Sequence, residues 1–232
     1  YEQYYEENPT FYAPYVTFLR TTGDEPRAIE VAEEGQEAYD NVRLRDHLVE
    51  LYKGRSSERY EHHVARRFIE TRDWSCYETL KERSSPEEWN ERVIQFEDEL
   101  TTEEKIHMLI ELYQREDRLD EAFDLVIERA QTNETTRSIG SYNKRGLPIL
   151  RKYREELGDY DPETYYETYE ELLKPYAAKK TGRGHYQTIV DHLEELEELD
   201  FDDRFEAFVD HLRETHSNRP AFLDEMDKAG FQ

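Results

Sequence analysis

The sequence has 232 residues and a formal net charge of −25, and only 36% of its residues are hydrophobic, against about 45–50% in typical globular domains. Aromatic residues make up 13% of the chain, and apolar residues recur at helical spacing, which excludes a disordered acidic tail. With so few hydrophobic residues, the composition favours a thin, extended array of helices over one thick core.

The segment from residue 15 to residue 35 predicts two short helices folded back on one another. Gly23 can adopt the left-handed conformation that ends a helix, and Asp24 can cap the next helix with Pro26 in its first turn. The apolar positions before this turn are predicted to face those after it, and small alanines let the two helices approach closely. The predicted facing residues are Tyr15, Phe18 and Leu19 on one side and Ala28, Val31 and Ala32 on the other.

Further amphipathic segments follow along the chain, several of them with recognisable start signals. Asp73 and Asp161 are predicted N-caps, and Ser85 with Glu88 predicts a capping box. A helix is also predicted to start at Thr102 and cover 103–115. The other predicted helices cover 42–53, 57–71, 74–83, 89–100, 119–130, 148–157, 162–177, 186–199, 203–215 and 220–229.

An internal repeat links the first hairpin to a later one. Each of the two hairpins has a large apolar residue, a second apolar residue one helical turn later, a turn residue and then a small residue. The separations between these four positions are four, four and five residues in both hairpins. This pattern is typical of tetratricopeptide-like repeats of about 34 residues. We therefore predict an all-α, tetratricopeptide-like antiparallel helical-hairpin solenoid of about six hairpins, with an N-terminal tether at 1–9, a single helical-repeat domain at 10–232 and a joint at 131–147. The aligned residues are Tyr15, Leu19, Gly23 and Ala28, and Leu109, Tyr113, Asp117 and Ala122.

The charge balance and cysteine usage predict the compartment. There are 56 acidic and 31 basic residues, and nine of the basic residues are lysines. Excess acid with few lysines is typical of proteins adapted to very high salt, which screens carboxylate repulsion; an ordinary acidic protein is the alternative. Cys76 is the single cysteine, which excludes a disulfide framework. With no apolar run near the ~20 residues that span a bilayer, we expect a halophilic, cytoplasmic protein without membrane contact.

One basic cluster stands out in this acidic chain. Lys179, Lys180 and Arg183 lie in a glycine-containing segment before a predicted helix, where backbone N–H groups could bind a phosphate. The alternative is an ordinary connector between helices. The histidines, including His62 and His63, lack the spacing of a helical zinc site. We interpret them as structural and predict no bound metal.

The eighteen tyrosines allow two interpretations. Aromatic residues are enriched at interfaces, so tyrosines at helical spacing could line a concave peptide-binding groove on the first helices of successive hairpins. The favoured alternative is that most of them belong to the core or to the surface of a halophilic protein. The candidates for a partner groove are Tyr12, Tyr52 and Tyr113.

The C-terminal stretch HYQTIVDHLEELEELDFDDRFEAFVDHLRETHSNRPAFLDEMDKAGF resembles the end of prokaryotic, haloarchaeal-type SWIM zinc-finger proteins. The earlier segments LVELY and LIELYQREDRLDEAFDL resemble the helical repeats that follow the zinc finger in that family. The finger itself, a C-x-C and C-x-H pattern, is absent from this sequence. The resemblance therefore implies the helical-repeat architecture, and it implies neither zinc binding nor the finger's nucleic-acid contacts.

Together these observations predict a non-enzymatic protein–protein interaction scaffold with no catalytic residues and no cofactor. Its expected partner is a protein or peptide. The first alternative is a nucleic-acid-associated module that uses the basic segment at 179–185, and the second is an enzyme whose active site has no local signature in the sequence. A net charge of −25 disfavours direct binding to a polyanion. Because the sequence starts at Tyr1 rather than Met, we also expect it to be the C-terminal part of a longer protein.

Overall fold

A computed structural model describes residues 5, 8–132, 146–179 and 181–232. These residues form α-helices and one short 3-10 helix, Pro9–Phe11, and they contain no β-strand. The predicted all-α class is confirmed. Among the described helices, none combines the length and the apolar character needed to cross a membrane. The helices are α1 (Tyr12–Thr22), α2 (Glu25–Tyr39), α3 (Val42–Tyr52), α4 (Ser57–Thr71), α5 (Trp74–Arg83), α6 (Pro86–Thr102), α7 (Ile106–Arg115), α8 (Leu119–Thr132), α9 (Gly146–Leu157), α10 (Pro162–Lys179), α11 (Arg183–Glu197), α12 (Asp202–Thr215) and α13 (Pro220–Ala229).

Short polar side chains start several helices where the sequence predicts them. Asp24 accepts a hydrogen bond from the Arg27 N–H at 3.3 Å. Ser85 and Glu88 each accept a hydrogen bond from the other's backbone N–H, which is the predicted capping box. These contacts satisfy N–H groups that the first helical turn leaves without a backbone partner. The two other predicted caps also accept backbone hydrogen bonds, and they are Asp73 and Asp161.

The turns that follow α1 and α7 share one geometry. Gly23 has φ 84°, and the N–H of the next residue donates to the Leu19 carbonyl at 3.0 Å. Asp117 has φ 58°, and the N–H of the next residue donates to the Tyr113 carbonyl at 2.9 Å. This bond closes the Schellman motif at a helix C-terminus. The ends of α6 at Glu104 and of α13 at Gly230 have the same left-handed residue and the same hydrogen bond, so this geometry is a common helix end in this chain.

The chain divides into two compact units, and the first is Tyr1–Met108. Here α1 packs on α2, α3 packs on both, and α4 packs on α3, α5 and α6. Gly35 lets α2 lie close to its neighbours, because a Cβ at this position would overlap the Tyr12 ring and lie 2.8 Å from Leu44 Cδ1. The core of this hairpin pair consists of Tyr5, Tyr12, Tyr15, Val16, Leu19, Ala28, Val31, Ala32, Leu44, Leu48, Leu51 and Tyr52.

An aromatic cluster joins α4, α5 and α6 within the same unit. The Tyr77 ring lies between the two tryptophans, with its centroid 5.3 Å from Trp74 and 4.9 Å from Trp89. Phe68 of α4 packs edge-on against Phe96 of α6 at 5.0 Å. These edge-to-face contacts are the favoured geometry for aromatic pairs, and they connect the three helices through their rings.

The second unit is Leu109–Gln232. In it α8 packs on α9 and α10, α10 packs on α9, α11 and α12, and α11 packs on α13. Tyr165, Tyr166 and Tyr169 of α10 are fully buried. The Tyr165 hydroxyl donates to the Leu150 carbonyl, and the Tyr169 hydroxyl lies 2.6 Å from His192 Nδ1. The hydroxyl groups of Tyr165 and Tyr169 therefore have partners inside the unit, whereas the buried Tyr166 hydroxyl has no hydrogen-bond partner among the described residues.

Some predicted boundaries and faces are wrong. α6 continues to Thr102 and α7 begins at Ile106, because Glu104 adopts a left-handed φ of 54° and ends α6 there. α11 begins at Arg183, three residues before its predicted start. Phe18 is 49% exposed rather than buried in the first hairpin, because Tyr15, Val16 and Leu19 fill that face of α1.

The predicted tether and joint are only partly described. Within 1–9, Tyr5 is 2% exposed and its ring lies 5.1 Å from Tyr12 and 5.0 Å from Tyr15. At least this residue of the predicted tether is part of the core. Of the predicted joint at 131–147, residues 133–145 lie outside the described part of the chain.

Candidate functional site

An open groove of about 880 Å³ lies between α2 and α4, with α3 as its floor. It is larger than a depression of about 350 Å³ beside α4, α5 and α6 and one of about 390 Å³ beside α12 and the C-terminal residues. We call it the α2–α4 groove. It is lined by Glu33, Gln36, Glu37 and Asp40 from the first wall, Arg45 and Leu48 from the floor, and Glu58, Arg59, His62, His63 and Arg66 from the second wall.

The two walls follow from helical periodicity. The first-wall residues are spaced three, one and three positions apart, so they share one face of α2 and its C-cap. The second-wall residues follow the same rule on α4. The first wall carries acids, whereas the second carries arginines and histidines with one glutamate. This opposition of an acidic and a basic face is a signal that sequence reasoning could have used and missed.

Ion pairs hold the arginines of the groove in place. Arg59 pairs with Glu33 across the groove and donates to the Tyr52 hydroxyl at 2.7 Å. Arg45 is only 3% exposed, and its guanidinium pairs with Asp40 and, at 2.6 Å, with Glu70. A buried charge needs such partners because leaving water is costly.

Arg66 pairs with Glu99 of α6 at 2.6 Å. All three arginines of the groove therefore have carboxylate partners, and two of them are paired with acids outside the groove. Glu37 and Glu58, one on each wall, are exposed and form no ion pair within the described residues. The groove therefore carries a surplus of negative charge.

Two buried polar atoms in the groove have no hydrogen-bond partner among the described residues. Gln36 donates from Nε2 to Asp40 at 2.6 Å, which leaves its Oε1 buried and unpartnered. At neutral pH a carboxylate can only accept hydrogen bonds. The contact with Asp40 therefore assigns the amide nitrogen of Gln36, and not its amide oxygen, to the side that faces Asp40. His63 is 8% exposed, and its Nδ1 is likewise unpartnered.

The ring of His63 is held by aromatic contacts. It stacks on Tyr52 at 5.7 Å and meets His62 edge-on at 5.2 Å. Burial, together with the neighbouring His62 and Arg45, lowers the pKa of His63 to about 4. His63 is therefore a neutral imidazole at pH 7, and its unpartnered Nδ1 is enclosed by the protein.

The structure does not bring the three candidate tyrosines together. Tyr12 is buried in the first core against Tyr5 and beneath Gly35. Tyr52 is also buried, but its hydroxyl contacts Glu33 and Arg59 at the groove wall. Tyr113 belongs to the other unit and is partly exposed, with the guanidinium of Arg118 4.7 Å from its ring centre. Of the three, Tyr52 is the one that borders the α2–α4 groove.

The groove lies on the second helices of the first two hairpins, α2 and α4, whereas the predicted partner surface lies on the first helices. In this unit the first helices are joined to one another by polar contacts. Thr17 and Arg20 of α1 contact the two ring nitrogens of His47 on α3, at 3.2 and 2.8 Å. The stacking of α3 on both preceding helices therefore leaves the groove between α2 and α4.

The predicted anion-binding residues are placed as follows. Lys179 is the exposed last residue of α10, and Lys180 lies outside the described part of the chain. Arg183 begins α11 and pairs with Glu225 at 2.7 Å and Asp224 at 3.1 Å. Its charge is thus offset by two carboxylates of α13. Among the described residues, no group of three or more His, Cys, Asp and Glu side chains is arranged to hold a metal ion.

No protein-family model matches the chain, and it has no significant match among curated proteins or solved structures.

Proposed function

We propose that this chain is a non-enzymatic protein–protein interaction scaffold that binds a peptide or helix of a partner in the α2–α4 groove. We further propose that its hairpins form a tetratricopeptide-like solenoid and that it is the helical-repeat region of a halophilic, cytoplasmic SWIM-type zinc-finger protein. The observation that carries the binding proposal is the groove itself. It is open to solvent and lies between charged walls whose arginines are held by ion pairs.

The dimensions of the groove suit a short segment of polypeptide. The first wall runs from Glu33 to Asp40, which at 1.5 Å per residue corresponds to roughly 10 Å of helix. This length accommodates about two turns of a partner helix or a few extended residues. The arginines of the walls are fixed by ion pairs, so the surface is organised before a partner arrives, which lowers the entropic cost of binding.

The solenoid proposal rests on local packing. α3 packs against both α1 and α2, as expected when one hairpin stacks on the next. The spacing of four, four and five residues shared by the segments around Gly23 and Asp117 also supports repeated units. The parent protein can be tested directly, because a C-x-C and C-x-H pattern encoded upstream of Tyr1 would support the SWIM family and its lack would count against it.

A blocked groove tests the binding proposal. The 232-residue chain is used to capture partners from a nuclease-treated, high-salt extract, alongside Glu37→Trp, which fills the groove from an exposed position. Glu194→Trp, at an exposed position on α11, is the matched control. We expect the captured protein to be lost with Glu37→Trp and kept with Glu194→Trp. Equal capture by both variants would contradict the proposal.

The same experiment addresses the nucleic-acid alternative. Replacing Lys179, Lys180 and Arg183 with glutamine should leave partner capture unchanged. If nucleic acid is captured without nuclease and disappears with this triple variant, the chain is instead a nucleic-acid-associated module. The pairing of Arg183 with Asp224 and Glu225 argues against that outcome, because it leaves less free positive charge in this segment.

A further inference from the structure

We infer that His47 forms a pH-sensitive link between the first two hairpins: when its imidazole is protonated, its contacts with Arg20 and Thr17 are lost and α1 packs less tightly on α3. The link joins α1 to α3 through side chains, at a place where these two helices pack on each other. The inference concerns how the hairpins are held together, so it does not depend on what the α2–α4 groove binds.

The two neighbours of the His47 ring fix its protonation state. Arg20 Nη1 lies 2.8 Å from His47 Nδ1. A guanidinium group has only donors, so Nδ1 is the unprotonated acceptor. Thr17 Oγ1 lies 3.2 Å from Nε2, and the single hydroxyl hydrogen of Thr17 is donated to the Ala13 carbonyl at 2.9 Å. Nε2 therefore carries the ring hydrogen and donates it to Thr17, and only the neutral Nε2–H tautomer satisfies both contacts.

Protonation of His47 would place two positive groups against each other. A hydrogen on Nδ1 would point at the Arg20 guanidinium, so the acceptor would be replaced by a second donor and a like charge. Arg20 is the one charged residue of α1, and it forms no ion pair within the described residues. No carboxylate of the described chain therefore offsets the repulsion at this contact.

The environment of His47 determines the pH range in which the link is lost. Partial burial lowers the pKa of His47 below its ordinary value of 6.5, and the charge of Arg20 lowers it as well. In the unfolded chain the imidazole regains its ordinary pKa. The link is therefore complete at pH 7, and it is lost as the pH falls below 6.5 and through the lowered pKa of the folded chain.

On its own helix, His47 has three charged neighbours. Arg43 lies one turn before it, Glu50 lies three residues after it, and both are exposed. Asp46 raises the pKa of His47, but this effect is smaller than the opposite effect of Arg20. The neighbours on α3 therefore do not cancel the influence of Arg20.

The other helices packed against α3 contribute little charge at the ring. These helices are α2 and α4. Arg67 of α4 pairs with Asp46 at 3.2 Å rather than with His47. Among the described residues of α2 and α4, no titratable side chain contacts the His47 ring. The pH response of the link is thus set mainly by its contact with α1.

Histidine NMR tests the protonation state directly. The 232-residue chain is labelled with ¹⁵N-histidine, and the resonances of His47 are identified by their loss in His47→Gln. At pH 7.5 we expect a neutral ring with its hydrogen on Nε2. A ring with its hydrogen on Nδ1 at this pH would overturn the inference, because a protonated Nδ1 cannot accept a hydrogen bond from Arg20.

A pair of charge-matched variants separates the contact from general electrostatics. Arg20→Met and Arg43→Met each remove one positive charge near His47, but only Arg20 contacts the ring. The His47 titration is followed in 1 M KCl, where long-range charge effects are screened. We expect its midpoint to rise with Arg20→Met and to move less with Arg43→Met. Equal shifts with both variants, or no shift with Arg20→Met, would contradict the inference.

Hydrogen exchange tests whether the link holds α1 in place. A glutamine side chain keeps one donor and one acceptor group but cannot be protonated in this range, so His47→Gln removes the pH response and retains polar partners. After correction for the intrinsic pH dependence of exchange, we expect protection of the α1 amides to fall between pH 7 and pH 5. The fall should be at least threefold larger in the unsubstituted chain than in His47→Gln. An equal fall in both chains would show that protonation of His47 does not loosen α1, and the inference would fail.

Discussion

At the scale of single residues, two buried histidines should make the free energy of unfolding depend on pH. His192 is buried in the second unit, with the Tyr169 hydroxyl 2.6 Å from its Nδ1. Burial lowers its pKa from 6.5 to about 4, and the charge of Arg151 adds to this effect. His63 behaves in the same way in the first unit. In the unfolded chain both imidazoles regain an ordinary pKa near 6.5.

The free energy of unfolding should therefore decrease as the pH falls below about 6.5. The unfolded state binds the proton first, so each buried histidine lowers stability by about 1.4 kcal/mol per pH unit between its unfolded and folded pKa values. Urea denaturation at pH 7.5, 6.5, 5.5 and 5.0 measures this slope. We expect His192→Gln to flatten it and His211→Gln, at an exposed position, to leave it unchanged. An unaltered slope in His192→Gln would refute the burial argument.

At the scale of single elements, the turn between α1 and α2 depends on a positive φ. An added Cβ at Gly23 would meet nothing within 4 Å, so only its φ of 84° opposes a side chain there. We expect Gly23→Ala to destabilise the chain by about 1 kcal/mol. Gly184 in α11 has equally open space and no positive φ. Gly184→Ala should therefore be neutral or stabilising by about 0.5–1 kcal/mol, and urea denaturation of both variants compares them.

Close approach of helices gives a second prediction at this scale. Ala122 of α8 is fully buried, and α8 packs on α9 and α10. We expect Ala122→Glu to destabilise by several kcal/mol through overpacking and a buried charge, measured by urea denaturation. Glu195→Gln is an unsuitable control, because Glu195 bridges Arg151 and Arg154 at 3.1 Å each. Glu194 is exposed and forms no ion pair within the described residues. We therefore expect Glu194→Gln to unfold at the same urea concentration as the unsubstituted chain.

At the scale of the whole molecule, a net charge of −25 should make stability depend on salt. Carboxylate repulsion is long-ranged in dilute buffer and is screened within about 3 Å at molar ionic strength. We expect helicity, followed by circular dichroism, and melting temperature both to rise from 10 mM to molar potassium chloride. If the two conditions give equal helicity and equal melting temperature, the halophilic hypothesis fails.

The sequence by itself determined the features that depend on neighbours within about five residues. The helices, the caps at Asp24 and Ser85, and the aligned turns at Gly23 and Asp117 could all be predicted. Each of these is set by contacts between residues three to five positions apart, such as a capping side chain and an N–H of the first turn. Helix ends were predicted less well where no strong signal is present, as at Glu104, a non-glycine residue with positive φ.

The tertiary structure alone decided which side chains share a site. Periodicity identifies a buried face of a helix but not its partner, so Tyr12 and Tyr52 could be core or groove until α2 and α3 were placed around them. Arg183 was a candidate for anions until α13 brought Glu225, 42 residues later, to 2.7 Å. The α2–α4 groove likewise exists only because α3 spaces two helices apart. Such contacts join residues far apart in the chain, and their energy depends on burial and charge in the folded molecule rather than on local spacing.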